Sequence, residues 1–451
     1  MNAEMNPKMN RPQPGWIDKR DYVDESFAKR EAQYLWSNVW QIACRTEEIP
    51  NEGDFITYDV ANESLIIVRT ASGTVKAFHN SCPHRGRRLV DGHGSRNKIV
   101  CGFHGWRWNI DGENTLVVDR EDWGNCLSDS DAALKQAKVG EWGGFIFVNM
   151  DLDAEELDTF LDPINARCSN YEFEKLRYRW YKSVVLPCNW KIGIEAFDES
   201  YHAQTTHPQV LNFFEDYSVS GAFGRHGAFW YPVEEGKSLL RPSSRLGKEA
   251  GTDFRQYILQ FVEEFHNELG AMVTPRAYEA TQRLRTEVAA DASAEEVLAK
   301  WGQFQMDAAE ADGAGWPPIT LDDIERSYFD WHMFPNTVFL HSSVDGVLLY
   351  RTRPWKNDPD QCLMDVWSLV RYAPGTEPPL TREFYANWRD ASWGRIFAQD
   401  FQNLEKMQQG VKSMGFVGSR TNPVQEIAVA NFHRALHEFI EERQGQTDLA
   451  S

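Results

Sequence analysis

The sequence predicts an α+β protein of two domains: a small all-β domain, then a larger one whose antiparallel sheet is flanked by helices. Three observations carry this. Residues 41–150 read as short β-rich runs divided by turns, and longer β-rich runs return in RWYKSVVLPCNWK, NTVFLHSSVDGVLLYRTRPW and QCLMDVWSLVRY. Between these later runs, 252–310 is polar with helical periodicity.

Taken in order, residues 1–40 form a polar, Pro-containing arm and a helix expected to pack with the larger domain. In DESFAKREAQYLWSNVW (24–40) the apolar residues fall at helical spacing, with Asp24 placed to cap. The small domain is expected over 41–155, where SLIIVRT and TVKAF flank Ser72-Gly73 as a hairpin and GGFIFVNM supplies a later strand. The acidic DLDAEELDTFLDPI (151–164) reads as a linker or short helix. The larger domain then takes 156–451, with 252–310 as a helical insertion. Asp345-Gly346 marks a hairpin, Ser293 with Glu296 a capping box, and about 424–442 an amphipathic closing helix.

Composition narrows the function. Lys plus Arg total 47 against 67 Asp plus Glu, a formal charge of −20. Such a field repels phosphate backbones, which argues against nucleic acid as a partner. No run of 18 apolar residues and no signal-peptide core occurs, so a soluble cytoplasmic protein is expected, with no membrane role. The seven cysteines make an odd count and argue against a disulfide framework. Cys44, Cys126, Cys168, Cys188 and Cys362 have no partner spacing and are expected to be buried small side chains.

The other two cysteines stand in CPHRGRRLVDGHGSRNKIVCGFHGW (82–106), which pairs Cys82 with His84 and Cys101 with His104. Four such ligands suit a tetrahedral zinc or an iron–sulfur cluster. Zinc sites commonly pair like with like, as Cys-x2-4-Cys or His-x3-5-His. Mixed pairs suit two irons in unlike surroundings, with both cysteines on one and both histidines on the other. Gly86, Gly102 and Gly105 let the backbone approach a bulky group. The stretch closely resembles the Rieske [2Fe–2S] motif, and the resemblance implies one such cluster per chain.

A second constellation lies in NWKIGIEAFDESYHAQTTHP (189–208). On an ideal helix His202 and His207 would point about 140° apart. Pro208 biases His207 out of helical geometry, so the helix can end near Thr206 and His207 can turn back to share a metal. Two imidazoles and a carboxylate make a facial triad that leaves positions open on non-haem Fe(II). Asn189-Trp190-Lys191, Glu199-x-Tyr201-His202-x4-His207 and SWGRIFAQDFQNLEKMQQG (392–410) together resemble the catalytic (α) subunits of Rieske non-haem iron ring-hydroxylating oxygenases. The resemblance covers most of the chain. It nominates Asp400 as the acid ligand ahead of Asp390, with Glu405, Gln408 and Gly410 completing the pattern, and it implies a helix-grip (START-like) catalytic domain.

It further implies that an acid at Glu199, or its neighbour Asp198, bridges the Rieske histidine of one subunit to the iron histidine of the next. In the family that acid is usually Asp; Ala196 is a further departure, standing where many members carry Asn. One mononuclear Fe(II) per chain, O2 as co-substrate, a ferredoxin or flavin reductase as electron donor, and a ring-shaped trimer (α3 or α3β3) follow from the same resemblance. The substrate cavity is expected around Leu211, Phe213, Phe214, Phe329, Trp331, Met333, Phe334 and Val338. The function expected first is hydroxylation of an apolar aromatic small molecule. The alternatives are oxygenation of a quaternary ammonium or other non-arene, and a Rieske electron carrier without oxygenase activity. His433 and His437, spaced i, i+4, have good helix-chelation geometry but lie on an expected surface helix with no acid partner suggested by a motif.

Overall fold

In a computed structural model the chain is described over residues 15–233, 238–328 and 330–450; the first fourteen residues of the arm lie outside this description. Two compact units emerge. One comprises Ala28–Lys175 with Trp355–Asn357 and the chain beyond Phe439; the other comprises the residues up to Phe27, Leu176–Pro354 and Asp358–Glu438.

The first unit is wider than the 41–155 read from the sequence. Its seven-stranded antiparallel sheet runs, edge to edge, Gln41–Arg45, Phe145–Asn149, Gln136–Trp142, Val75–His79, Glu63–Arg69, Asp54–Val60 and His93–Ser95. The Ser72-Gly73 hairpin forms as read, with Gly73 at φ +81°, where a Cβ would be strained. The segment 156–175 packs onto this sheet rather than belonging to the larger unit. Leu157 lies so close to Gly140 that a Cβ there would sit 2.7 Å from its side chain, and Arg45 donates to the Phe173 carbonyl. A second sheet of three short strands, Lys98–Val100, Arg107–Asn109 and Asn114–Leu116, carries a cluster loop at its first turn.

The second unit is built on an eight-stranded sheet in the order Val219–Phe223, His226–Trp230, Asp330–Met333, Thr337–Ser343, Gly346–Trp355, Asp358–Arg371, Leu176–Leu186 and Arg382–Tyr385. The sheet is antiparallel as expected except at one edge, where Leu176–Leu186 and Arg382–Tyr385 run parallel. The arm feeds this unit: Trp16–Asp18 pairs with Gly418–Arg420. Asp24 accepts from the Ser26 amide and starts Glu25–Arg30, which passes into a wider turn over Glu31–Leu35. The insertion folds as helices Arg255–Glu264, Pro275–Gln282, Leu284–Glu287 and Ala294–Ala311. Ser293 caps the last of these by accepting from the Glu296 amide. The turn residue Asp345 is buried and takes Arg276 at 2.8 Å and Thr274 at 3.2 Å, which pins the insertion to the Asp345-Gly346 hairpin. The closing helix runs Ile427–Ala450, and no helix among the described residues is long and apolar enough to cross a membrane.

Candidate active site

The Cys–His pairs occupy two loops of like construction. The Gly86 amide donates back to the Cys82 carbonyl and the Cys82 amide to the Arg87 carbonyl. In the other loop the Gly105 and Cys101 amides do the same to the Cys101 and Trp106 carbonyls. Gly86 and Gly105 take φ of +71° and +73°, which is why each loop carries glycine there. Gly102 serves differently, because a Cβ on it would meet the Arg87 guanidinium at 3.1 Å. Both cysteines are buried, whereas the imidazoles of His84 and His104 are half-buried with ring centres 4.7 Å apart. His84 stacks on Trp106 at 5.0 Å, and its Nδ1 is buried without a protein partner. Inner thiolates, outer imidazoles and an orphaned ring nitrogen suit a two-iron cluster with unlike ends. Among the other cysteines Cys126 is exposed, against expectation, because it follows a surface turn at Arg120–Trp123.

The second constellation converges as well. Ligand atoms of His202, His207 and Asp400 lie within 4.8 Å of one another. A short helix, Ala203–Thr206, begins after His202 and ends at His207, whose φ of −121° and ψ of 53° take it out of helical geometry ahead of Pro208. This turns His207 Nε2 to within 3.0 Å of an Asp400 oxygen, and His202 Nε2 lies 3.7 Å from the same atom. Asp400 comes from the middle of the helix Gly394–Val411 and is buried.

The far nitrogens are fixed as well. His202 Nδ1 meets Glu199 at 2.7 Å, and His207 Nδ1 meets Gln399 at 2.9 Å. Each imidazole is thereby held with Nε2 toward the shared point. Burial opposes charge on His202, yet Glu199, with Asp400 behind it, outweighs burial and lifts its pKa to about 9. A site that favours positive charge at His202 fits a divalent cation. Asp390 stands apart in the Trp388–Asp390 turn. The pattern residues hold the frame: Gln408 accepts from the Asn189 amide, Glu405 pairs with Arg389, and buried Lys191 lies over Trp190 and Phe27.

The adjacent acids part company. Glu199 bonds both the His202 ring and its backbone amide. Asp198 points inward, fully buried, with Oδ2 3.1 Å from His332 Nδ1. Burial, then the nearby Asp330, Glu195 and Glu199, push the Asp198 pKa well above the usual carboxylate range. Burial likewise pulls His332 down to about 3, and its Nε2 faces the Pro335 carbonyl. The contact is close but is not a hydrogen bond: both Asp198 oxygens and His332 Nδ1 are buried without one.

A cavity of ≈ 120 Å³ opens beside the triad, and Phe214, Phe229, Tyr231 and Phe265 are among its walls. Carboxylates of Glu199, Asp216 and Asp400 line it, and none of the described lining residues is Lys or Arg. Of the residues expected around the substrate, Phe214 borders this cavity. Leu211 and Phe213 fill the neighbouring core. Trp331 packs on Phe223, Phe334 faces Phe432, and Met333 and Val338 are buried away from the lining. Phe329 lies outside the described residues. Leu340 and Leu348 take the strand positions on the cavity wall.

His433 and His437 do not lie bare on a surface. His433 is buried, its Nδ1 2.8 Å from Asp21 and its Nε2 2.6 Å from Glu195, and His437 also meets Asp21. Burial opposes its charge, but Glu195 and Asp21 outweigh it and raise the pKa to about 9. Both ring nitrogens donate, which makes an imidazolium and not a metal ligand. The acids are 412 and 238 residues away in sequence, so no local motif announces them. The folded pKa lies above the unfolded ~6.5, so this contribution is full below about pH 6.5 and lost as pH rises toward 9. Thermal melts of the protein should fall across that window, and His433→Gln should flatten the fall. An unchanged slope would refute the ion cluster.

These features define a two-metal redox protein, with a cluster domain and a facial-triad domain in one chain. Residues 39–121 match the Rieske [2Fe-2S] domain and residues 173–442 the ring hydroxylating alpha subunit (catalytic domain), so the chain belongs to the Rieske ring-hydroxylating oxygenase α-subunit family. It is 32% identical over 253 residues to the carnitine monooxygenase oxygenase subunit of Escherichia coli K12, covering 54% of this chain and 64% of that protein. It is also 32% identical over 199 residues to the biphenyl 2,3-dioxygenase subunit alpha of Rhodococcus jostii RHA1, covering 43% of each. The matched stretches thus span less than two thirds of either relative. Among solved structures, a quaternary ammonium Rieske monooxygenase in complex with L-carnitine superposes with a TM-score of 0.62 at 18% identity, over 95% of this chain and 96% of that one.

Proposed function

We propose that this chain is the oxygenase subunit of a Rieske monooxygenase acting on a quaternary ammonium, in place of the aromatic hydrocarbon expected first. The observation that carries the reading is the cavity beside the triad: its walls are rich in aromatic rings, and none of its described lining residues is Lys or Arg. Aromatic faces attract a quaternary ammonium through the ring quadrupole. At ≈ 120 Å³ the cavity has room for a trimethylammonium head. The carnitine-acting relative supports the same reading; the biphenyl-acting one favours an arene.

His202, His207 and Asp400 would hold the iron, with Glu199 and Gln399 fixing the two imidazoles. Iron there supplies the binding and reductive activation of O2. The aromatic walls hold the methyl groups and exclude water, so the C–H bond next to nitrogen faces the triad. One oxygen atom enters that bond and the other leaves as water, with two electrons and two protons supplied. The C–N bond of the hydroxylated carbon then breaks, giving an aldehyde and a protonated tertiary amine. Cys82, Cys101, His84 and His104 would carry the cluster that receives electrons from a ferredoxin or flavin reductase in the cytoplasm. Glu199, on the iron histidine, is the acid suited to link it with a neighbouring subunit's cluster in a trimer.

The test is turnover by the iron-loaded protein with a reductase and NADH, comparing tetramethylammonium, L-carnitine, benzene and biphenyl. Formaldehyde or tertiary amine formed in step with O2 uptake is the expected result. Turnover of arenes alone would return the assignment to ring hydroxylation.

A further inference from the structure

A second cavity, of ≈ 510 Å³, lies within the catalytic unit, and Met272 is the one described residue that lines both it and the iron cavity. The insertion builds its wall. Leu298, Trp301, Gly302, Gln305 and Met306 line it from the helix Ala294–Ala311, a spacing that places them on one face. Gly302 is a mid-helix glycine, less favourable there than alanine, and a Cβ built on it meets nothing within 4 Å. The wall faces open space there. Leu321 and Ile324, 79% and 41% exposed, give the cavity an apolar rim. No charged residue is among its described lining.

The partition is thin. Phe261 borders the second cavity and Phe265 the first, their ring centres 4.6 Å apart on successive helical turns. Met272 completes it at φ +65°, a left-handed conformation that strains any side chain other than glycine's. Thr274 and Arg276, both bonded to Asp345, clamp the chain just beyond it. Methionine is unbranched and rotates readily, so it can yield where the flanking rings cannot.

Resting on the quaternary ammonium reading, we infer that the substrate is an amphiphile. Its cationic head occupies the iron cavity, and an uncharged alkyl or aryl tail passes Met272 into the second cavity. A zwitterion such as carnitine would bring its carboxylate to walls that offer no Lys or Arg among the described residues of either cavity. An apolar tail gains from burial in the second.

The experiment measures Kd by calorimetry for the iron-loaded full chain with tetramethylammonium, butyl-, hexyl-, octyl- and decyltrimethylammonium, and L-carnitine. Affinity should rise by up to about fourfold per added methylene until the tail fills the cavity. Gly302→Leu, which favours the helix and fills the space, should cut the decyl-to-tetramethyl affinity ratio by at least about tenfold. Met272→Phe should lower the same ratio, and a crystal with a bromine-tipped alkylammonium should show bromine against Trp301. A flat series, tighter binding of L-carnitine than of every alkyl homologue, or a ratio indifferent to Gly302→Leu would overturn the tail site. Tetramethylammonium that binds and turns over alongside a flat series would remove the tail alone. Failure of every ammonium to bind would remove the head-group reading with it.

Discussion

His207→Ala protein should keep the visible absorption of its Rieske cluster and lose its mononuclear iron, falling from about three iron atoms per chain to about two. Oxygenation should drop by at least about 100-fold. The two sites draw their candidate ligands from separate stretches, 82–104 and 202–400, so removing one imidazole of the triad leaves the cluster loops untouched. Gln399→Ala tests the same centre more gently. It frees the His207 ring and should weaken iron binding by about 10- to 100-fold while leaving the ligand set intact. Iron analysis with the absorption spectrum reads both variants. Iron content unchanged in His207→Ala would remove that residue from the ligand set.

Glu199→Gln and Asp198→Asn should behave oppositely, although the residues are neighbours. Glu199→Gln removes the charge behind His202 Nδ1, so iron affinity should fall about 10- to 100-fold, with turnover following. Asp198→Asn should leave iron content unchanged. The amide has almost the same volume and is neutral, so it fills the buried place beside His332 without a charge to desolvate. The pH dependence gives the sign. A carboxyl whose folded pKa is raised binds more protons folded than unfolded, so its contribution is full below about pH 4 and declines as pH rises. Asp198→Asn removes that decline and should raise the melting temperature at pH 8 relative to pH 5. Asp198→Ala leaves a void in the buried place beside His332 and should cost about 1–3 kcal/mol. Iron lost from Asp198→Asn and kept in Glu199→Gln would reverse the two roles.

The pair also shows where sequence reading stops. Both metal motifs were legible because their ligands sit on local loops: glycines bracket each Cys–His pair, and a proline ends the helix between His202 and His207. The acid ligand is 193 residues beyond His207 and could be nominated only through the resemblance. Which neighbouring acid faces His202 depends on how the turn 196–202 is rolled against the sheet, and two adjacent carboxylates carry no signal of that. Gln399 was within reach, since a ligating histidine needs an acceptor for its second nitrogen and Gln399 adjoins Asp400. The cavity wall was not. Strand alternation says that Trp331 and Met333 share a face but not what covers it, and helix and sheet packing gave the cavity to Leu340 and Leu348. The His433 cluster failed for the same reason, with Asp21 brought from near the start of the chain and Glu195 from its middle.

The division of the chain also bears on how the protein is made. The catalytic unit is interrupted between Phe27 and Leu176, so most of the cluster domain is an insertion in the other's sequence, joined later by Trp355–Asn357 and the residues from Phe439. Every Cys and His of the cluster has left the ribosome long before Asp358–Arg371 can pair with Leu176–Leu186. Domains fold as units during synthesis, N-terminal first. Iron–sulfur assembly can therefore act on a nascent chain, whereas the triad waits for the helix that brings Asp400. Cells short of cluster-loading capacity would fail at the earlier step, and cells short of ferrous iron would accumulate protein that is brown but idle.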